Sequence, residues 1–267
     1  MKTPTTDLDK FKKLLQNKEP FAFARFSDGE LHTIQGMYYK IAMDHVVQGF
    51  PSGTKVSHIH YAEDELKEFN PETDEKYRQA LEDCLSYRQD NYFKGICTRS
   101  DVTEEEFRFQ IEINNGYEDD LTFANLFINA NYPRFIEEIL PLIAESPVVF
   151  VLNKNADTSR IKHTLNIIKE FRVGSNCLQN DFDVQFDVPR YLKENNIKGA
   201  VVLCAAASLS NLVVKTGFKE YPENTYLDIG SALNPFVGLN GWMQSRGYLQ
   251  HYILGQHNRY GVQVDTW

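Results

Sequence analysis

The sequence predicts a Rossmann-like α/β fold: a mostly parallel sheet flanked by helices, with a helical insertion in the middle. Three observations predict it. Val148 to Leu152 and Ala200 to Cys204 are uninterrupted apolar runs, the pattern of strands buried on both faces. Strand patterns alternate with helical patterns through the C-terminal half, as parallel sheets with helical crossovers require. Near the N-terminus, Phe21 to Phe26 reads as a strand, breaks at Ser27-Asp28-Gly29-Glu30, and resumes as a helical pattern.

Taken in order, Thr6 and Asp7 open a short helix whose Leu8, Phe11, Leu14 and Leu15 share a face. The first strand follows, and then helical spacing from Leu31 to Tyr39. Pro51-Ser52-Gly53 is a turn. One long helix is expected from Pro71 to about Tyr92, then a buried run from Tyr92 to Cys97. Helices are expected at Glu104 to Ile113 and Leu121 to Ile139, the second broken near Tyr132 and Pro133. These make up the largely helical insertion expected near 55–145 of a single domain spanning 1–267. After the strand at Val148, Ser159 caps a helix to about Phe171, and Phe171 to Val173 is a strand. The strand at Ala200 leads through small residues into a helix from Ser208 to Thr216. Thr225 to Asp228 is a last short strand, ending at Ile229-Gly230-Ser231. There is no repeat, low-complexity stretch or obvious linker.

Composition narrows the class. With 42% hydrophobic and 24% charged residues, the chain is globular rather than disordered or fibrous. Its 37 acidic and 28 basic side chains leave a net charge of -9, which disfavours a nucleic-acid partner. No segment approaches the roughly 18 apolar residues of a membrane span. Cys84, Cys97, Cys177 and Cys204 show no CxxC spacing or Cys/His cluster, and read as buried thiols of a reducing compartment. With no signal-peptide pattern and no Asn-x-Ser/Thr sequon, the expected location is the cytoplasm. The phosphate-loop, dinucleotide, serine-hydrolase and zincin motifs are absent, which disfavours those enzyme classes.

In parallel sheets the ligand lies beyond the carboxyl ends of the strands. That rule selects Asp28, Gly29, Glu30, Asn153, Lys154, Ala205 to Ser208 (Ala207 and Ser208 foremost) and Asp228 to Ser231 (with Gly230). Asp28 and Glu30, two apart with Gly29 allowing a tight bend, are hard oxygen ligands suited to Mg²⁺ or Mn²⁺. Ser27 and Glu30 also have the spacing of a helix capping box, and the two readings are compatible. Lys154, Arg160 and Arg25 are the cations placed to meet phosphate, although Lys154 also reads as an ordinary surface lysine. Asp228 suits a ribose contact or a catalytic base, or merely caps a turn.

Arg25-Phe26-Ser27-Asp28-Gly29-Glu30-Leu31, after a short N-terminal strand, resembles the Arg-x-Gly-Asp-Gly-Glu signature of the GT-D-fold glycosyltransferases. That family, once a domain of unknown function, carries an Asp-x-Glu metal motif at this place. Tyr226 to Ser231 resembles its C-terminal Asp-Ile-Gly segment, and Val201 to Ser208 fits the strand and loop before it. Ser27 stands where the family usually has Gly, Ser231 where His is common, and Ala205-Ala206-Ala207 where the loop is Gly-rich. The resemblance implies metal-dependent sugar transfer from a nucleoside diphosphate, UDP in the first place, to a glycan hydroxyl. Asp28 and Glu30 would hold the metal, with Arg25, Ser27 and Gly29 beside the donor.

Other clusters offer alternatives. Asp181-Phe182-Asp183 is a literal Asp-x-Asp, but its alternating continuation to Val188 reads as an edge strand. His58, His60 and Asp64 would suit a metal-dependent phosphohydrolase. Glu118-Asp119-Asp120 reads as the acidic start of a helix, and His257 with Arg259 as a possible acceptor groove. A non-catalytic nucleotide-sugar-binding module is the remaining reading.

Overall fold

The computed structural model describes residues 2–42, 45–49, 66–128 and 131–239. The chain runs α1 (Pro4–Gln16), β1 (Ala22–Arg25), α2 (Asp28–Ile34), β2 (Tyr39–Ala42), β3 (His45–Gly49), β4 (Leu66–Phe69) and α3 (Glu75–Ser86). It continues through β5 (Tyr92–Ile96), α4 (Glu104–Ile113), β6 (Leu121–Phe123), α5 (Tyr132–Arg134), α6 (Leu140–Ala144) and β7 (Val148–Asn153). It then passes β8 (Ile167–Val173), α7 (Cys177–Asn180), α8 (Val184–Glu194), β9 (Val201–Ala205), α9 (Leu209–Glu220) and β10 (Thr225–Asp228).

Seven strands form one sheet in the order β6-β5-β1-β10-β9-β7-β8. Every pairing in it is parallel. A separate antiparallel sheet has the order β3-β2-β4. Side chains alternate between the faces of the main sheet, because successive strand residues point opposite ways. Ala22, Ala24, Val149, Val151, Val202 and Tyr226 join one buried cluster with α3, α4, α8 and α9. Phe23, Val148, Phe150, Leu203 and Leu227 join the other, with α1 and the helical segment around Phe135 and Ile139. The result is a three-layer α/β/α body, as expected. α9 lies close on β10: a Cβ at Gly217 would fall 2.2 Å from the Tyr226 ring.

Elements with strong local signals form where expected. Helix α4 has the expected bounds because Thr103 and Glu106 make a reciprocal capping box, with Oγ1 and Oε2 accepting each other's backbone N–H. Helix α1 begins two residues before Thr6, since Thr3 accepts from the Thr6 N–H and Pro4 occupies the first turn.

Several expectations are corrected. The long helix from Pro71 shrinks to α3, because Pro71 to Thr73 form a turn and Tyr87 is extended. Leu121 opens strand β6 rather than a helix, and the preceding Asp120 binds the buried Lys94 ammonium at 2.7 Å instead of starting a helix. The helix from Ser159 is absent: Asp157 caps a single 3-10 turn, and the following residues form edge strand β8. The edge strand from Asp181 is helix α8, in which Val188 and Leu192 make one buried face. Within the insertion expected near 55–145, β5 and β6 are strands of the main sheet, so the described part is mixed rather than largely helical. Among the described residues no helix is long and apolar enough to cross a membrane, and all four cysteines are free and buried.

Candidate functional site

Strand β1 is the point where the sheet changes its direction of growth. Strands β5 and β6 extend it on one side, and β10, β9, β7 and β8 on the other. A crevice beyond the carboxyl ends at such a point is the usual ligand position. Here the ends of β1 and β10 bring Arg25 and Asp228 together, with Asp28 and Glu30 directly after β1.

Glu30 is 5% exposed. Its Oε2 accepts from the Ser27 backbone N–H at 3.1 Å and from Ser27 Oγ at 2.7 Å. Its Oε1 accepts from Ser208 Oγ at 2.7 Å, which ties α2 to the start of α9. Asp28 has a different environment: it is exposed and accepts no hydrogen bond from the described residues. The two carboxylates read as an equivalent pair in the sequence are therefore distinct, one holding the turn together and the other open.

The Arg25 guanidinium is opposed by burial, but the charges of Asp228, Glu30 and Asp28 outweigh this and hold its pKa above the ordinary value. Its Nε is buried without a hydrogen-bond partner among the described residues, while its backbone carbonyl accepts from Asn211 Nδ2 at 2.8 Å. Asp228 is 4% exposed, and its Oδ1 accepts from the Gly230 N–H at 2.9 Å. Burial lifts its carboxyl to about 7, against the stabilising charge of Arg25. Gly230 has φ +50°, and a Cβ there would lie 3.1 Å from the Arg25 guanidinium, so the position needs glycine twice over.

A second cation reaches the site from the small sheet. Lys67, in β4, brings its Nζ within 3.6 Å of a Cβ built on Gly29. Burial works against its ammonium, but Tyr39, Glu30, Cys177 and Asp28 outweigh it and raise its pKa. Sequence reasoning missed Lys67, whose place depends on the antiparallel sheet folding over the turn at Gly29.

Two clefts meet at Asp28. One, of about 340 Å³, is lined by Arg25, Ser27, Asp28, Asp101, Asn125 and Ile128 among others. The other, of about 450 Å³, includes Asp28, His32, Asp101, Thr103 and Glu106. Asp101, Ser100 and Asn125 were not singled out in the sequence, and Cys97 only as a buried thiol. They follow β5 and β6, and no local motif marks them.

Other expected residues lie apart. Asn153 ends β7 and Lys154 follows it, three strands from β1, which is about 14 Å across the sheet at the usual strand spacing. Neither lines these clefts; Lys154 is exposed, and Asn153 Oδ1 accepts from the Asn155 N–H. Arg160 packs over Gly238. Asp181 Oδ2 accepts from the Gly174 N–H and the exposed Asp183 precedes α8, so the Asp-x-Asp run lies apart from these clefts. His58, His60, Asp64, His257 and Arg259 lie outside the described residues. Ser231 caps a turn through its carbonyl, which accepts from the Asn234 N–H.

Ala207, just before Ser208, has φ +43°, in the left-handed region where a Cβ is strained. Ala207→Gly should therefore stabilise the fold by about 1 kcal/mol and raise Tm by about 2–4 °C, as read by thermal unfolding. A lower Tm would show that the loop is not strained.

Fold and site together define a Rossmann-like α/β protein with charged groups gathered at the carboxyl end of its central strand. No protein-family model matches the sequence, and neither does any curated protein. Solved structures do match in fold. One, described as a new glycosyltransferase (DUF1792) from Streptococcus sanguinis, has a TM-score of 0.54 at 12% identity over 97% of this chain and 88% of its own. Another, described as the highly conserved domain of unknown function 1792 with a distinct glycosyltransferase fold, has a TM-score of 0.54 at 13% identity over 97% and 84%. A selenomethionine-substituted structure of the same domain gives 0.52 at 12% identity over 97% and 84%. The chain has the fold of these structures.

Proposed function

We propose that this chain is a glycosyltransferase that moves a sugar from a nucleoside-diphosphate donor, with UDP-sugars the first to test, to a hydroxyl of a glycan acceptor. The observation that carries the reading is the meeting of two clefts at an exposed carboxylate, Asp28, whose charge acts on Arg25 and Lys67, with Asp228 buried beside Arg25. Adjoining clefts suit a reaction of two substrates, and the two cations suit a leaving diphosphate.

A divalent cation, Mn²⁺ or Mg²⁺, fits the hard-oxygen chemistry of this site. Among the described residues no three His, Cys, Asp or Glu side chains converge on one point. Mg²⁺ is commonly held by only one or two carboxylates together with substrate phosphates, and that donor set matches an open Asp28. Glu30, with both oxygens engaged, would add a ligand through its remaining lone pairs or hold Asp28 in place through Ser27. When bound, the cation would neutralise charge on the diphosphate.

The chain's own groups supply the rest. Arg25 and Lys67 offset the negative charge that builds as the bond from the anomeric carbon to the phosphate oxygen breaks. The acceptor hydroxyl forms the new bond to that carbon, and Asp228, with a carboxyl titrating near neutrality, takes its proton. Ser208 and Ser27 keep Glu30 fixed, and Gly230 leaves room for Arg25.

The test is a panel of nucleotide sugars, each assayed for thermal stabilisation and for nucleoside-diphosphate release with and without Mn²⁺. The reading expects stabilisation by at least one donor and Mn²⁺-stimulated release that rises with acceptor. Binding without release would favour a nucleotide-sugar-binding module. Release of phosphate from simple phosphoesters without any sugar donor would favour a phosphohydrolase.

A further inference from the structure

Asn125 is 8% exposed, yet neither its Oδ1 nor its Nδ2 has a hydrogen-bond partner among the described residues. Buried amides are nearly always paired, so a doubly unpaired one that lines a cleft is poised for a ligand. Its orientation does not come from a slack loop. The Ala124 N–H donates to the Ile96 carbonyl at 2.9 Å, and the Asn125 carbonyl accepts from the Ile128 N–H at 3.1 Å. Arg25 Nε, on the wall of the same cleft, is also buried and unpaired.

The chemistry of the cleft narrows the ligand. A carboxamide offers a donor beside an acceptor, which matches two neighbouring hydroxyls. The Asp28 and Asp101 carboxylates disfavour a second anion at this place and accept readily from hydroxyls. Among the described lining residues there is no aromatic ring on which a base could stack, whereas Ala124 and Ile128 offer an apolar wall to the C–H face of a saturated ring. A volume of about 340 Å³ has room for one such ring.

We propose that Asn125 is a specificity-determining residue that reads adjacent hydroxyls of a sugar ring seated in this cleft. The assignment deepens, and rests on, the glycosyltransferase reading, and the ring belongs either to the donor or to the acceptor. The rule that a site built to bond a hydroxyl rejects a ligand lacking it sets the expected discrimination.

The experiment measures binding of UDP, UDP-glucose, UDP-galactose, UDP-N-acetylglucosamine and the corresponding methyl glycosides to wild type, Asn125→Ala and Asn125→Asp. Wild type should prefer one sugar over its epimer by about tenfold or more. Asn125→Ala should lose that preference while binding UDP as wild type does, and Asn125→Asp should fall between. Because the Asn125 amide bonds none of the described residues, Asn125→Ala should keep the wild-type Tm. A preference found in the nucleotide sugars assigns the ring to the donor; one found in the methyl glycosides assigns it to the acceptor. The proposal is overturned if wild type binds none of the sugars or does not distinguish epimers, if Asn125→Ala keeps the preference, or if the variant loses UDP equally. Failure of the glycosyltransferase reading looks different: sugar preference persists and depends on Asn125, but no nucleoside diphosphate is released.

Discussion

Asp28→Asn should lower donor turnover by about 10²-fold or more while changing stability by less than about 1 kcal/mol. Asp28 is exposed and accepts no hydrogen bond from the described residues, so the fold loses little beyond a favourable charge in the first turn of α2. Glu30→Ala should behave oppositely. It strips acceptors from the Ser27 N–H, from Ser27 Oγ and from the fully buried Ser208 Oγ. Leaving buried donors unpaired costs about 1–3 kcal/mol each, so a loss of about 2–4 kcal/mol and a Tm drop of roughly 5–10 °C are expected. Glu30→Gln keeps the shape: its amide oxygen can face Ser27 and its NH₂ can donate to Ser208 Oγ. Kinetics and melting curves on these three variants separate the roles. A wild-type rate in Asp28→Asn would remove Asp28 from the site. Full activity in a stable Glu30→Gln would leave Glu30 a purely positioning residue.

That division of labour was only half legible in the sequence. Ser27-Asp28-Gly29-Glu30 carried a capping box and an acidic pair at once, and sequence spacing cannot say which oxygens the fold consumes. The answer depends on Ser208, 178 positions away in the chain. Strands β7 and β9 were legible because burial on both faces leaves unbroken apolar runs, and β1 and β10 because short apolar stretches end in turn residues. Edge strand β6 was not, and of edge strand β8 only the end, Phe171 to Val173, was read as a strand. Leu121 to Phe123 is only three residues long, and β8 carries exposed polar residues that mimic a helical face. In α8, Val184 and Val188 satisfy both an alternating and a four-residue period, and the wider context decides for the helix. Lys67 and Asn125 had no signal, since each reaches the site through tertiary placement of an irregular or polar segment. The Ala205-Ala206-Ala207 departure from a Gly-rich loop was visible, and its cost surfaces as the positive φ of Ala207.

On the proposed mechanism, in which Asp228 takes the acceptor's proton, the activity should rise about tenfold per pH unit below neutrality and level off above about 7, where the Asp228 carboxyl titrates. Asp228→Asn should lose about 10²–10⁴-fold in kcat and abolish the inflection. The same group leaves a second, independent trace in stability. Its ordinary value is 3.8, so between about pH 4 and 7 the folded protein retains a proton that the unfolded chain has released. Stability from this group is therefore fully present below about 4 and is lost as pH rises through 7, by roughly 4 kcal/mol in all at about 1.4 kcal/mol per unit. The difference in unfolding free energy between wild type and Asp228→Asn isolates it, since other carboxylates titrate alike in both. A pH-independent difference would mean that Asp228 is ionised throughout, held so by Arg25 and the Gly230 N–H, and the proton would then need another acceptor. A sloping difference with an unchanged rate profile would keep the buried, proton-holding carboxyl but remove it from catalysis, leaving it as the counter-charge that orients Arg25.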